Sequence, residues 1–409
     1  MPHHLGDALS LTIEKPAAGG RMIARVDGQV VLVAGAIPGE RVIARIDRVG
    51  KGVLYATTVD IEHASPDRRP SPGDPECGGC LYAHVDYARQ LALKSEVIAD
   101  AFTRIAKISL PARVAVAPSP QSGYRMRARL HMRGRRVGFF REGTHEICDA
   151  RATGQLLPAT CDSVDRLTAG ILSLGLEVRE IELSENVDAS NRAVSLETAF
   201  AIDVQTSTRL AGTEGITGFG PDATVHEALT VAGVGITLRR SVRAFFQGNR
   251  YLLATLVDHV VAQVADGVSL VDLYAGAGLF AIGAAAARRA RVRAVEGDRV
   301  SAADLIANVG AYDTVDALHQ PVETFLAAAR SPDVLIVDPP RTGMSREALD
   351  GVIRLRAPKV IYVSCDVATL ARDSKRLVDA GYDIARADAF DLFPNTPHVE
   401  TVLTFSIRE

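Results

Sequence analysis

Two short stretches near the carboxyl end of the chain carry residues that could do chemistry. Asp338-Pro339-Pro340-Arg341 follows the apolar run Val334 to Val337, and Ser364-Cys365-Asp366 follows the apolar run Val360 to Val363. Both runs are short and β-branched and read as buried strands. In an open α/β sheet, ligands gather at the carboxyl ends of strands, so the two loops are expected to form one site. The proline pair forces extended backbone directly after a carboxylate, which an ordinary turn does not require. A thiol at the equivalent strand end is a candidate nucleophile, although most cysteines are buried for packing alone.

A third stretch, DLYAGAG, ends another predicted strand, and Glu296 ends the strand after it. Gly276-x-Gly278-x-x-Ala281 lets the backbone approach a ligand, and the acid can accept ribose hydroxyls. That pattern suits a dinucleotide and S-adenosylmethionine alike. Upstream, Arg125, Arg127, Arg129, His131, Arg133 and Arg135 fall on alternate residues, with Met126, Ala128, Leu130 and Met132 between them. As a strand this gives one cationic face and one apolar face. No acid lies between Tyr124 and Arg141, so the cationic face is expected to meet a phosphate backbone. Cys77-Gly78-Gly79-Cys80 could be a metal half-site, a redox pair or a coincidence, with Cys148 and Cys161 as the nearby further thiols.

The elements that must position these groups fall into three parts. Residues 9 to 61 alternate in short glycine-broken runs and predict a five-stranded antiparallel barrel of a kind that often binds RNA. A Pro-rich, charged loop from Ser65 to Glu76 and an amphipathic helix over residues 86 to 107 lead into an α+β segment containing the arginine strand. From Val242 onward, strands and helices alternate, which predicts a doubly wound, largely parallel sheet. The expected divisions are residues 1–62, 63–230 and 231–409.

Composition agrees with a globular chain: of 409 residues, 47% are apolar and 23% charged. The net charge of −3 excludes a uniformly basic nucleic-acid coat but not a local patch. No window resembles a membrane span or a secretion signal, so a cytoplasmic location is expected. Five cysteines, an odd number, then read as thiols or ligands rather than as a disulfide frame.

Taken in order, the barrel, CGGC, GYRMRARL, GFFREGTHEI, FFQGN, DLYAGAG, AVEGD, DPPRTG, YVSCD and HVETV resemble the S-adenosylmethionine-dependent RNA (uracil-5-)methyltransferases, especially ribosomal-RNA members with an amino-terminal TRAM barrel. The resemblance covers nearly the whole chain. It implies a class I Rossmann-like methyltransferase domain, with Gln247, Tyr274, Gly276, Glu296 and Asp338 on S-adenosylmethionine, Cys365 as nucleophile and Glu400 as general base. It implies RNA as partner, 23S ribosomal RNA before transfer RNA, and a monomer, with Arg125, Arg127, Arg129 and Arg133 on the RNA. Members of the family with a [4Fe–4S] cluster carry Cys-x5-Cys-x-x-Cys and a later fourth cysteine. Here Ser71 occupies the first position and Thr153 lies near the fourth, which leaves Cys77, Cys80 and Cys148 as an incomplete ligand set. Asp366 and Leu279 stand where many members have Asn. Methylation of an exocyclic nitrogen would leave Cys365 and Glu400 idle, and so would a non-catalytic assembly role.

Overall fold

Period-two alternation sets the amino-terminal part. The strand Arg41–Gly50 buries Val42, Ala44 and Ile46 and exposes the residues between them. The computed structural model describes residues 3–71 and 73–408. Its first sheet has six strands: five of five or more residues, and the two-residue strand Lys15–Pro16 at one edge. Leu11, Val31, Ile46 and Leu54 fill its interior, where Tyr82, Val85 and Leu93 from the following segment join them.

The arginine strand, Arg127–Arg133, lies inside a second six-stranded sheet, between Arg136–Phe140 and Val178–Glu185. Its alternate residues Ala128, Leu130 and Met132 pack on the helix Pro158–Ser173 through Val164, Leu167 and Ile171. The helix Tyr87–Ala101 packs elsewhere: its continuation, Ala101, Phe102 and Ala106, enters the core beneath the carboxyl-terminal sheet.

That last sheet has eight strands. Five run parallel, in the spatial order Val315–His319, Arg291–Glu296, Ser269–Leu273, Val334–Val337, Lys359–Ser364. Glu400–Ile407 follows antiparallel, Tyr382–Phe390 beyond it runs in the original direction again, and Val116–Ala117 closes the edge parallel to it. Strands covered on both faces read as continuous apolar runs, as in Val334–Val337, where every residue is buried. The strand order reverses beside Ser269–Leu273, so a crevice opens between the carboxyl ends of that strand and Val334–Val337. The expected fold class is present: a Rossmann-like methyltransferase sheet with a strand-rich amino-terminal barrel and an α+β middle. Among the described residues no helix is long and apolar enough to cross a membrane.

Candidate active site

The crevice is built from three strand ends. Beyond Leu273 the chain turns through Tyr274 at φ 61°, Gly276 at φ 56° and Gly278 at φ 93° before the helix Leu279–Arg288 begins. A Cβ on Gly278 would lie 2.9 Å from the Leu305 side chain, so this turn requires glycine. A tyrosine held at positive φ is strained backbone, retained where the neighbouring structure demands it. The Gly276 N–H donates to Glu296 Oε2 at 2.8 Å and the Asp298 N–H to Oε1 at 2.6 Å. Two amides thus fix the Glu296 carboxylate at the crevice wall and leave lone pairs for further donors.

Across the crevice, the Asp338 N–H donates to the Leu273 carbonyl, and Gln247 Nε2 donates to Asp338 Oδ2 at 3.1 Å. Burial pushes the Asp338 carboxyl up to about 7, offset in part by Gln247. Asp272, inside the DLYAGAG strand, is fully buried and neither carboxyl oxygen has a hydrogen-bond partner. Burial first and the Asp338 charge second hold it well above the usual carboxylate range, with only weak relief from the Ala281 amide.

The second half of the site comes from strand register. Ser364 pairs with Thr401 at the end of the ladder between the antiparallel neighbours; Cys365 is the next residue beyond one strand, Glu400 is the first residue of the other, and the Glu400 charge acts on the Cys365 thiol. Burial, then the Glu400 charge, push the Cys365 thiol up to about 12, and the Arg341 guanidinium opposes both. Glu400 is 2% exposed and held well above its ordinary value by burial and Asp338, again against Arg341. The Arg341 carbonyl accepts from Thr369 Oγ1, which ties the DPPR turn to the helix Val367–Asp379. Asp366 caps that helix by accepting the Thr369 N–H at 2.8 Å. Aspartate and asparagine cap about equally well, so this departure from the family pattern costs little.

The site therefore holds three raised carboxyl groups, Asp272, Asp338 and Glu400, with one neighbouring cation, Arg341. This excess of carboxyl groups favours one of the ligands that the glycine pattern left open. A dinucleotide would bring an anionic pyrophosphate against these acids. S-adenosylmethionine brings an ammonium and a sulfonium, and a cation within ~5 Å gains about 3 kcal/mol at an effective dielectric of ~20. The unpartnered Asp272 oxygens, the open space over Gly276 and the Glu296 cradle fit that ligand.

Of the residues named from the sequence, Gln247 bonds Asp338, Gly276 bonds Glu296, Tyr274 lies in the turn between Leu273 and Gly276, and Cys365 and Glu400 each feel the charges of Asp338 and Arg341. Sequence reasoning missed Asp272 by stopping at the glycines after it. It also missed His398, whose pKa falls to about 4 through burial and the charges of Arg341, Lys94 and Arg125. The HVE string was the signal for that residue.

Two expectations change. The arginine row is not a bare cationic face, because the adjoining strand Val178–Glu185 supplies acids that lie 50 or so residues away in the sequence. Arg129 pairs with Glu182 at 2.8 Å, Arg127 with Glu182 at 3.6 Å, and His131 with Glu180 at 3.2 Å. Arg125 donates to Gln155 at 2.9 Å and lies over the Phe139 ring. Arg133 forms no ion pair among the described residues.

The cysteines also differ from their reading as thiols or ligands. Cys77 and Cys148 form a disulfide, while Cys80 is a buried thiol pushed up to about 11 by burial and Asp74. Among the described residues no group of three or more His, Cys, Asp or Glu side chains could hold a metal ion. Thr153 Oγ1 donates to the Ala150 carbonyl and is not placed as a ligand. The residues present do not fit a [4Fe–4S] cluster, which needs about four thiolates.

Residues 183–407 match the tRNA (uracil-5-)-methyltransferase family, and residues 3–59 match the TRAM domain. An uncharacterized RNA methyltransferase of Thermotoga maritima is 31% identical over 96% of this chain and 97% of its own length. The 23S rRNA (uracil(1939)-C(5))-methyltransferase of Pseudomonas putida is 31% identical over 98% of this chain and 94% of its own. Among solved structures, the Pyrococcus abyssi tRNA (uracil-54, C5)-methyltransferase bound to S-adenosyl-L-homocysteine superposes with a TM-score of 0.72 at 23% identity. That superposition covers 97% of this chain and all of the other, and at such identity it establishes the shared fold.

Proposed function

The chain belongs to the tRNA (uracil-5-)-methyltransferase family and is an S-adenosylmethionine-dependent RNA (uracil-5-)-methyltransferase; from that premise we propose that it methylates C5 of a uridine in 23S ribosomal RNA, with Cys365 as nucleophile and Glu400 as base. The observation that supports the catalytic assignment is that Cys365 and Glu400 flank the last pair of one ladder, Ser364–Thr401, with the Arg341 charge acting on both. The choice of RNA rests on curated relatives named for 23S ribosomal RNA, each 31% identical along 94% of its length in the two Pseudomonas proteins.

Uracil C5 is too weak a nucleophile to take a methyl group unaided. Cys365 sulfur bonds to C6, and the C5–C6 π electrons move onto C5 and O4. Bound S-adenosylmethionine supplies an electrophilic methyl on a sulfonium, so the C5–methyl bond forms as the methyl–sulfur bond breaks. Glu400 then removes the C5 proton, the C5–C6 double bond returns, and the C6–S bond breaks to restore the thiolate. Only a soft nucleophile that also leaves serves both ends of this sequence, which favours cysteine over serine. At rest the thiol is protonated; Arg341, the start of the helix Val367–Asp379 and the positive charge of the methyl donor all favour its ionised form. Gln247 holds Asp338, Glu296 holds the ribose side and Asp272 receives the ammonium. The target base must leave its stack to reach Cys365. The protein would act as a cytoplasmic monomer on RNA.

Mapping 5-methyluridine in RNA from cells lacking this protein tests the assignment. One 5-methyluridine is expected to vanish from 23S ribosomal RNA and to return with the wild-type chain but not with Cys365→Ala. A loss in transfer RNA instead would overturn the substrate, and no loss at all would overturn the activity.

A further inference from the structure

The arginine strand begins beside the crevice and ends far from it. At its start, Arg125 bridges Asn249 and the Met126 N–H donates to the carbonyl of Gly248, the residue next to Gln247. Its other end, Arg133, lies eight residues on, about 25 Å away at ~3.3 Å per strand residue. Along the strand the cations are matched by Glu180 and Glu182. At the tip they are not.

Arg133 pairs in register with Arg136 across the hairpin, and Arg133, Arg135 and Arg136 are all exposed. Arg179 is exposed at the same end, where the register of Val178–Glu185 shifts between Val178 and Glu180. None of these four forms an ion pair among the described residues, and the acids nearest in register are the exposed Glu177 and Glu197. The neighbouring strand Arg192–Thr198 ends at this end too, because Thr198 pairs with Val178. Just beyond it Phe200 is 82% exposed and Val204 83% exposed. The Phe200 carbonyl accepts from Thr198 Oγ1 at 2.7 Å, so the backbone carrying that ring is fixed. An exposed aromatic ring at the same sheet end as unmatched guanidinium groups has the makings of a stacking platform on a phosphate track.

We propose that this sheet end is a second RNA contact, in which Arg133, Arg135, Arg136 and Arg179 hold the backbone of a single-stranded segment and Phe200 stacks on one of its bases. The inference rests on RNA being the substrate and adds where, away from the crevice, that RNA is gripped. A strand reaching from the crevice to the tip spans on the order of eight nucleotides at the ~3.4 Å charge spacing of a stacked strand. Substrate RNA is therefore bound along a length, and short fragments lose affinity while keeping chemistry.

Fluorescence-anisotropy binding of oligouridylates tests this, with lengths of about six and about thirty nucleotides. For the Arg133→Ala/Arg135→Ala/Arg136→Ala variant, affinity for the long oligomer is expected to fall at least tenfold. Its salt dependence (log K against log salt) should flatten by about 2, at ~0.7 for each single-strand phosphate that the variant no longer neutralises. Binding of the short oligomer stays at the wild-type level. Phe200→Ala should lose roughly tenfold on the long oligomer with the slope unchanged, because stacking carries no counterion release. The triple lysine variant keeps the slope, which separates charge from misfolding. Wild-type affinity and slope in the alanine variant overturn the proposal. So does an equal loss on both lengths, and so does a defect seen only on ribosomal particles, which would mark a protein-docking surface. Failure of the methyl-transfer reading is read separately, as unchanged 5-methyluridine in cellular RNA alongside intact long-oligomer binding.

Discussion

Cys365 and Glu400 flank the Ser364–Thr401 pair that ends the ladder between antiparallel neighbours, and the Glu400 charge acts on the Cys365 thiol. Burial and then the Glu400 charge raise the thiol's affinity for a proton, burial and then Asp338 raise that of the Glu400 carboxyl, and Arg341 lowers both. A resting site of this kind keeps its nucleophile protonated until positive charge arrives.

The pH dependence of thiol reactivity follows. With Cys365 pushed up to about 12, thiolate is the minor form at neutral pH and increases as pH rises. Alkylation of Cys365 by iodoacetamide, followed by peptide mass spectrometry, should accelerate about tenfold per pH unit from pH ~6 to ~9 without a plateau. Sinefungin, which carries a cationic amine at the methyl position, should speed alkylation relative to neutral S-adenosylhomocysteine. A plateau near neutral pH would mean that the thiol is already activated at rest.

Removing the base should separate addition from elimination. Glu400→Gln is expected to lower kcat about 10²- to 10⁴-fold while the Cys365–RNA bond still forms. Denaturing gels should then show a covalent complex with ordinary uridine RNA that wild type does not accumulate.

The proposed role of Asp272 on the ammonium predicts a trade of stability for binding. Its folded-state pKa lies above the unfolded value of ~3.9, so its penalty is absent below pH ~4 and grows as pH rises through the folded value. Asp272→Asn should therefore stabilise the ligand-free protein at neutral pH, by about 1 to 3 kcal/mol, with a smaller gain near pH 4. The same substitution should weaken S-adenosylhomocysteine binding in calorimetry. A uniform gain at all pH values would show that the carboxyl is not the cause.

Neutralising the acids on the arginine sheet should strengthen RNA binding. Glu182 engages both Arg127 and Arg129, and Arg129 keeps Glu180, so Glu182→Ala releases Arg127 and should steepen the salt dependence of binding by about 1. Unchanged affinity would show that RNA does not lie on this face.

Legibility in the sequence tracked locality. Asp338, Glu296 and Cys365 could be read because each stands at or just beyond the end of its own strand, and the strand–helix alternation foretold the sheet that gathers them. That Cys365 and Glu400 flank one strand pair could not be read, since it depends on register between strands whose sequence carries no register signal. The same limit hid the cross-strand partners of the arginines: Glu180 and Glu182 lie far along the chain, and only the sheet brings them within reach of Arg129. Cys77 and Cys148 are 71 residues apart, and their bond likewise needed the hairpin ending at Phe140 to fold back against Gly78. Asp272 was visible as a letter, but its lack of any partner is a property of packing.

The most direct test of the central claim is the covalent trap. RNA in which the target uridine is replaced by 5-fluorouridine has no C5 proton for Glu400 to remove, so elimination stops after methyl transfer. Wild-type protein with S-adenosylmethionine should form a denaturation-resistant RNA complex, and mass spectrometry should place the linkage on the peptide containing Cys365. Cys365→Ala should form none. A complex through another residue, or one that forms equally in Cys365→Ala, would contradict the account.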